Sequence, residues 1–247
     1  MVRMVVDSIV RLWAHPVVKK LPTTVVIVKK IVKKFIGLDY LKSKNNFNVS
    51  ITDWRVAIKT IFKFVAIARF EEAIELKKNN FKLLPSGDLE VTFLKGKNYS
   101  CFDARTCVIS KLDSQFCPVR LILKYFERLD FSKGVNRFFL PIVQSKVVKR
   151  AGARRNIRVQ VAVPGRAISY DTCSRQFKEA LTAVGENASL FGEHSDRIGG
   201  LSAAANNDVP WEAVNAHGRW APGSKVSKSY HKKSLKKRKI VTLNLGL

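Results

Sequence analysis

The 247-residue sequence is short of acid: 19 Asp and Glu stand against 45 Lys and Arg, a formal net charge of +26 at pH 7. Such an excess repels itself in a folded chain unless a polyanion neutralises it. DNA or RNA is therefore the first partner class, and an anionic membrane surface the second. Long apolar runs are also missing, and nothing approaches the roughly 20 residues that a membrane span requires. The N-terminal region has no uninterrupted apolar stretch with a small-residue cleavage site, so a secretory signal is not expected. Cysteine is sparse, and Cys101, Cys107, Cys117 and Cys173 form neither a Cys-x-x-Cys pair nor Cys/His ligand spacing. Reduced, mostly buried thiols in a soluble intracellular protein are the expectation, with no membrane partner. Apolar residues make up 46% of the chain, enough for a globular core, and the length suits one large domain with a short appendage.

Along the chain, residues 22–38 place Val28, Ile31, Val32, Phe35 and Ile36 on one helical stripe and Lys29, Lys30, Lys33 and Lys34 on the other. Pro22 and the threonines open this predicted helix and Gly37 closes it. From Ile51 to Lys78 runs a more apolar stretch, Trp54 through Leu76, which reads as one buried central helix. Arg69 inside it needs a paired charge, and Glu72 at i+3 is the local partner. Pro85-Ser-Gly-Asp88 marks a turn, Leu89–Leu94 alternates as a strand, Lys95–Asn98 forms a tip and Thr106–Ile109 returns, giving a small hairpin or meander. Helices follow near 115–130 and 171–184, the second capped by Ser169 or Asp171. Between them Lys146–Arg158 carries six basic residues on a segment that reads equally as loop or ribbon. Residues 194–205 form a helix rich in glycine and alanine, Pro210 begins another at its first position, and Ser224 caps a last one holding Tyr230. The fold class is thus mainly α with a small antiparallel β-sheet (α+β).

The chemistry gathers near the C-terminal end. His194 and Arg197, three apart, share one side of a helix and can share one ligand. Taken alone, such a pair is common by chance. Trp220 follows in His217-Gly-Arg-Trp, then Tyr230, with Arg69 far upstream and Lys97 on the hairpin tip. Two guanidiniums, an imidazole, an indole and a phenol suit a site that grips a phosphodiester and attacks it, because arginine matches phosphate oxygens bidentately and a phenolate is a competent nucleophile.

As an ordered set, these residues resemble the catalytic domain of the tyrosine recombinases, the phage-integrase superfamily, in the wording of eukaryotic mobile-element enzymes. Ala-Arg69-Phe-Glu-Glu72 is similar to the first arginine box, Phe-Gly-Glu-His194-Ser-Asp-Arg197-Ile-Gly-Gly to the second, and His-Gly-Arg-Trp220 to the histidine-or-tryptophan position. Lys97 falls at the hairpin lysine, with Lys95 competing for the role, and Tyr230 at the nucleophile. The Trp220 to Tyr230 interval is one residue longer than usual. The resemblance implies the recombinase catalytic-domain fold over residues 21–230, a remnant or linker at 1–20, and a basic helix and tail at 231–247 that packs on a neighbouring protomer. Most of the family's N-terminal core-binding domain has no counterpart in the sequence.

The implied activity is site-specific DNA cleavage and rejoining (recombination or integration) through a 3′-phosphotyrosyl intermediate, on double-stranded DNA. It needs no metal or cofactor, and it implies a homo-oligomer, a tetramer of two dimers, acting in the nucleus if the host is eukaryotic. Arg69, Lys97, His194, Arg197, Trp220 and Tyr230 would be its catalytic residues. A type IB topoisomerase-like relaxing activity, a catalytically inactive DNA-binding remnant and a generic basic RNA-binding protein are the alternatives.

Overall fold

Helix α1, Val25–Phe35, begins where Thr24 accepts a hydrogen bond from the Ile27 amide on its hydroxyl (3.3 Å) and turns off into Gly37 at φ +80°. Ile27, Val28, Ile31 and Val32 face inward, as the sequence stripe anticipates. The structure, a computed structural model, describes residues 19–37, 49–94, 96, 105–129, 137, 141–148, 157–221 and 224, by backbone only for 141–148 and 157–167.

The central element is α2, Ile51–Val65, capped by the Ser50 hydroxyl on the Asp53 amide (3.0 Å). Ten consecutive residues, Trp54 through Lys63, are buried, so α2 is covered on every side. It is shorter than the sequence suggests. The expected single helix through Leu76 breaks after Ala66, Ile67 takes a left-handed φ of 49°, and a separate short helix α3, Phe70–Ile74, starts at Arg69. The break has a physical reason. In a continuous helix the Val65, Ala66 and Ile67 carbonyls would accept from amides four residues on. Here they accept from side chains of the distant C-terminal boxes instead.

Strands β1 (Phe81–Leu83), β2 (Leu89–Phe93) and β3 (Arg105–Ile109) form an antiparallel meander, Val91 pairing with both Phe81 and Cys107. The inward residues Leu89, Val91 and Phe93 alternate with less buried neighbours, and Phe93 stacks on Phe62 of α2 at 6.3 Å. Helix α4, Pro118–Arg128, has Pro118 in its first turn and sends Leu121, Ile122 and Tyr125 into the core. The basic stretch that read as loop or ribbon is flanked by a ribbon: β4 (Pro141–Val148) and β5 (Ile157–Ala167) are antiparallel from the Ile142–Val163 pair to Val148–Ile157. Residues 149–156 lie outside the described residues, as do the hairpin tip around Lys95 and Lys97, the helix expected after Ser224, and Tyr230.

Helix α5, Tyr170–Ala183, is capped by Ser169 on the Thr172 amide, which settles the choice between Ser169 and Asp171. Helix α6, Ser195–Asn206, follows His194 directly, and α7 is Trp211–His217 with Pro210 as its N-cap, one residue earlier than expected. The described fold is mainly α with a small antiparallel sheet. Cys107, Cys117 and Cys173 are free and buried. No helix among the described residues is long and apolar enough to cross a membrane.

Two glycines set how near α6 comes to the rest. A Cβ on Gly199 would lie 1.9 Å from the Thr23 carbonyl oxygen, and one on Gly200 would lie 2.1 Å from that of Phe64. Both obstacles are backbone, so neither can rotate away. Gly199→Ala and Gly200→Ala are each expected to destabilise by about 3 kcal/mol or more, the scale of severe overpacking. Ser202→Ala on the same helix should leave the thermal unfolding midpoint almost unchanged, and differential scanning calorimetry checks the contrast.

Candidate active site

Glu72 is the centre of the site. Its carboxylate is buried, and its neighbours are almost all arginine. Arg69 Nη1 donates to Oε1 at 2.6 Å, while the Arg69 amide, Arg219 Nη2 and Arg197 Nη1 approach Oε2 at 2.9, 2.9 and 3.4 Å. The expected Arg69–Glu72 pair is therefore present, and it is one arm of a larger cluster. Burial opposes ionisation of Glu72, but Arg219, the Arg69 amide and Arg197 outweigh it, so its carboxyl sits below the ordinary range. Counting these four side chains alone, one carboxylate faces three guanidiniums, and the cluster is net positive.

The arginines have further anchors. Arg197 donates to the Ile67 carbonyl at 2.7 Å and lies over the Trp220 ring, 4.4 Å from its centroid. Arg219 donates to the Ala66 and His217 carbonyls at 3.0 Å each and to the Ile67 carbonyl at 3.4 Å, and stacks 3.7 Å from the centroid of Phe93. His217 Nε2 meets the Val65 carbonyl at 2.8 Å. Cationic and polar groups at a helix C-terminus complement its exposed carbonyls and its dipole. Arg219 holds a φ of +60°, unusual for a residue with a side chain. Strain of that kind persists only where the surroundings over-determine the conformation, and four acceptors and an aromatic face do so here.

A cleft of about 640 Å³ opens on this cluster, lined by Arg69, Glu71, Glu72, Ile74, Glu75, Gly96 and His194. Gly96 brings the root of the β2–β3 hairpin to its edge. Tyr170, at the start of α5, packs edge-on against Phe70 at 5.0 Å and is half exposed. His194 is exposed. Its pKa is lowered by partial burial and by Lys63, Arg197 and Arg69, with Glu71 acting the other way. At neutral pH its imidazole is uncharged and offers a ring N–H as a hydrogen-bond donor.

Of the six residues picked from sequence, the structure brings four together. Arg69 and His194 line the cleft, and Arg197 and Trp220 stack behind Glu72. Lys97 and Tyr230 lie outside the described residues, as does Lys95. Sequence reasoning missed Arg219 and His217 as structural partners, although both stand in the His-Gly-Arg-Trp run. Gly218 also has a reason there: a Cβ on it would strike the Trp220 ring at 1.8 Å. Among the described residues, no group of three or more His, Cys, Asp or Glu is placed to hold a metal ion.

No protein-family model matches the chain, and no curated protein sequence matches it either. Solved structures do. The XerH site-specific recombinase bound to palindromic difH substrate, a post-cleavage complex, superposes with a TM-score of 0.60 at 13% identity over 91% of this chain and 53% of that one. The XerA recombinase gives a TM-score of 0.58 at 13% identity, over 95% and 67% of the two chains. The Tn1549 transposon integrase in complex with transposon right end DNA gives 0.50 at 8%, over 94% and 68%. The fold is that of a tyrosine recombinase catalytic domain. This chain spans about half the length of the XerH chain it matches.

Because the folded Glu72 carboxyl is depressed, it contributes stability that is full above the unfolded value near pH 4.5 and is lost as pH falls through the folded one. Glu72→Gln is expected to destabilise the protein at pH 7 by about 3–5 kcal/mol, since it strands buried guanidiniums. It should also flatten the loss of stability as pH falls below about 4.5. Chemical denaturation across that range, wild type against variant, is the measurement.

Proposed function

We propose that this chain cleaves and rejoins DNA strands through a 3′-phosphotyrosyl intermediate, as a site-specific recombinase of the mobile-element type. The observation that carries the reading is the convergence of Arg69, Arg197, His194 and Trp220, up to 151 residues apart in the sequence, on the arginine cluster around Glu72 and the cleft beside it. A scissile phosphate suits this place. Arg69, the more exposed of the two guanidiniums, reaches a non-bridging oxygen, and Arg197 adds positive charge behind it. Neutral His194 and the Trp220 indole supply hydrogen bonds to the pentacovalent transition state, whose negative charge exceeds that of the ground state.

In this reading the Tyr230 hydroxyl oxygen attacks phosphorus, the P–O5′ bond breaks, and Lys97 or Lys95 passes a proton to the departing 5′ oxygen. The phosphotyrosine retains the energy of the broken bond. A second 5′-hydroxyl attacks the same phosphorus, the tyrosine leaves, and the backbone is restored without a nucleotide cofactor. Residues 21–230 form the catalytic unit, 1–20 a linker, and 231–247 a segment that packs on a neighbouring protomer in a tetramer on double-stranded DNA. Nuclear action follows if the host is eukaryotic.

The test uses a pool of radiolabelled duplexes of randomised sequence, each with a nick just 3′ of the segment to be cleaved. Cleavage there releases a short 5′-hydroxyl fragment and strands the protein on DNA. Wild type is expected to give a denaturant-resistant adduct and to bind DNA with a log affinity that falls linearly with log salt concentration. Tyr230→Phe should abolish the adduct with affinity kept within about twofold, and Arg69→Ala should slow it by about 10²–10³-fold. Salt-dependent binding with no adduct would identify an inactive DNA-binding protein. Relaxation of supercoiled plasmid without sequence preference would identify a topoisomerase-like activity.

A further inference from the structure

Behind His194 lies a second group of charges that the cleavage chemistry does not use. Glu193 and Asp196, on either side of the His194-Ser195 pair, are 3% and 0% exposed, and they meet Lys59 and Lys63 of α2, 2% and 0% exposed. Lys59 Nζ donates to Glu193 Oε1 at 2.6 Å, and Lys63 Nζ donates to Oε2 at 2.7 Å and to the Glu193 carbonyl. Asp196 Oδ2 stands 3.7 Å from Lys63 Nζ, and Oδ1 accepts from the Thr23 hydroxyl at 2.9 Å. The turn between them is held as well: the Thr23 amide donates to the Ser195 carbonyl at 3.0 Å, and the Gly192 amide donates to the Ser195 hydroxyl at 3.0 Å.

Two ammonium groups and two carboxylates make this quartet neutral overall. Stability alone does not explain it, because well-packed apolar residues of like volume commonly serve a buried ion pair's place equally well or better. What ions add is direction, since each oxygen must meet a particular nitrogen. The quartet grips the residues just before His194 and just before Arg197, and it grips them from α2. The same helix ends at the carbonyls that hold Arg197, Arg219 and His217.

We propose that the Lys59–Lys63–Glu193–Asp196 quartet is a positioning device for His194 and Arg197, with Lys63 its central positioning residue. The proposal rests on the reading of the cleft as a phosphodiester-cleaving site. Lys63 touches both the carboxylate and the carbonyl of Glu193 and also approaches Asp196, so its loss frees the turn that carries His194. Misplacing a catalytic group by about 1 Å can slow a reaction by about 10²-fold without weakening binding. Burial pushes the Asp196 carboxyl up to about 6 and pushes the Lys59 ammonium down, while the attraction between the lysines and the carboxylates acts against both shifts.

The experiment separates position from stability by keeping charge balanced. Lys63→Met alone leaves an excess buried negative charge and should lower the unfolding midpoint markedly. Lys63→Met with Asp196→Asn removes one charge of each sign, keeps the Lys59–Glu193 pair, and should restore most of that midpoint. A role confined to stability returns with it. A positioning role does not: the double variant should bind the randomised duplex pool within about twofold of wild type yet form adduct about 30- to 100-fold more slowly. In ¹⁵N-histidine-labelled protein, the His194 ring signals, assigned by their loss in His194→Gln, should shift or broaden while those of His217 stay in place. Adduct formation by the folded double variant within about threefold of wild type overturns the proposal. If wild type itself forms no adduct, the proposed reaction falls, and unchanged His194 signals overturn the positioning role independently. Should the double variant unfold, Asp196→Asn alone, isosteric and still able to accept from Thr23, carries the same two readouts.

Discussion

The site depends on where α2 stops. A buried helix end leaves carbonyls with no intrahelical donor, and each left without a partner would cost about 1–3 kcal/mol. This chain caps the end with side chains from more than a hundred residues away: His217 on Val65, Arg219 on Ala66, Arg197 on Ile67. The arrangement serves two needs together. The carbonyls gain side-chain donors, and the C-terminal boxes are fixed against the turn that carries Arg69. Had α2 continued through Leu76, those carbonyls would have been consumed internally, and Arg197 and Arg219 would have had no place to dock.

Arginine rather than lysine suits this joint, because one planar guanidinium can address several acceptors at once. Arg219 spans three carbonyls and the Glu72 carboxylate while stacking on Phe93, and Arg197 spans a carbonyl and Glu72 while lying over Trp220. Lysine appears one and two turns earlier on α2, at Lys63 and Lys59, where compact ammonium groups meet the paired oxygens of Glu193. The two clusters differ in balance as well as in shape. The lysine quartet sums to zero and is sealed, whereas the arginine cluster carries excess positive charge and opens on a cleft. A neutral buried group suits support, and a net-positive group at a cleft suits an anion.

How much of this the sequence carries follows from the range of the interactions. Helix α1 was legible because its apolar stripe and its Thr24 and Gly37 boundaries are local. The Arg69–Glu72 pair was legible because three residues separate its members. The end of α2 was not, since Ala66 and Ile67 read as good helix interior and the reason for the break lies at residues 197–219. Arg55, Lys59 and Lys63 were equally opaque: on an apolar helix they resemble a solvated stripe, and only the fold shows them buried. The ordered boxes were legible as a set, yet the separation between residues that touch Glu72 directly and those that stack behind it needed coordinates.

His194 sits between the two clusters, and its protonation follows from that placement. Partial burial and the positive charges of Lys63, Arg197 and Arg69 act in one direction, with Glu71 opposing. An imidazolium here would add positive charge, but it would also repel the neighbouring guanidiniums. A neutral ring avoids that conflict and still donates one N–H. Positive charge in the cleft is therefore supplied by groups that do not titrate near neutrality, and His194 contributes direction rather than charge. For such a donor, orientation is all it has to offer, and the turn that carries it is held by buried ions.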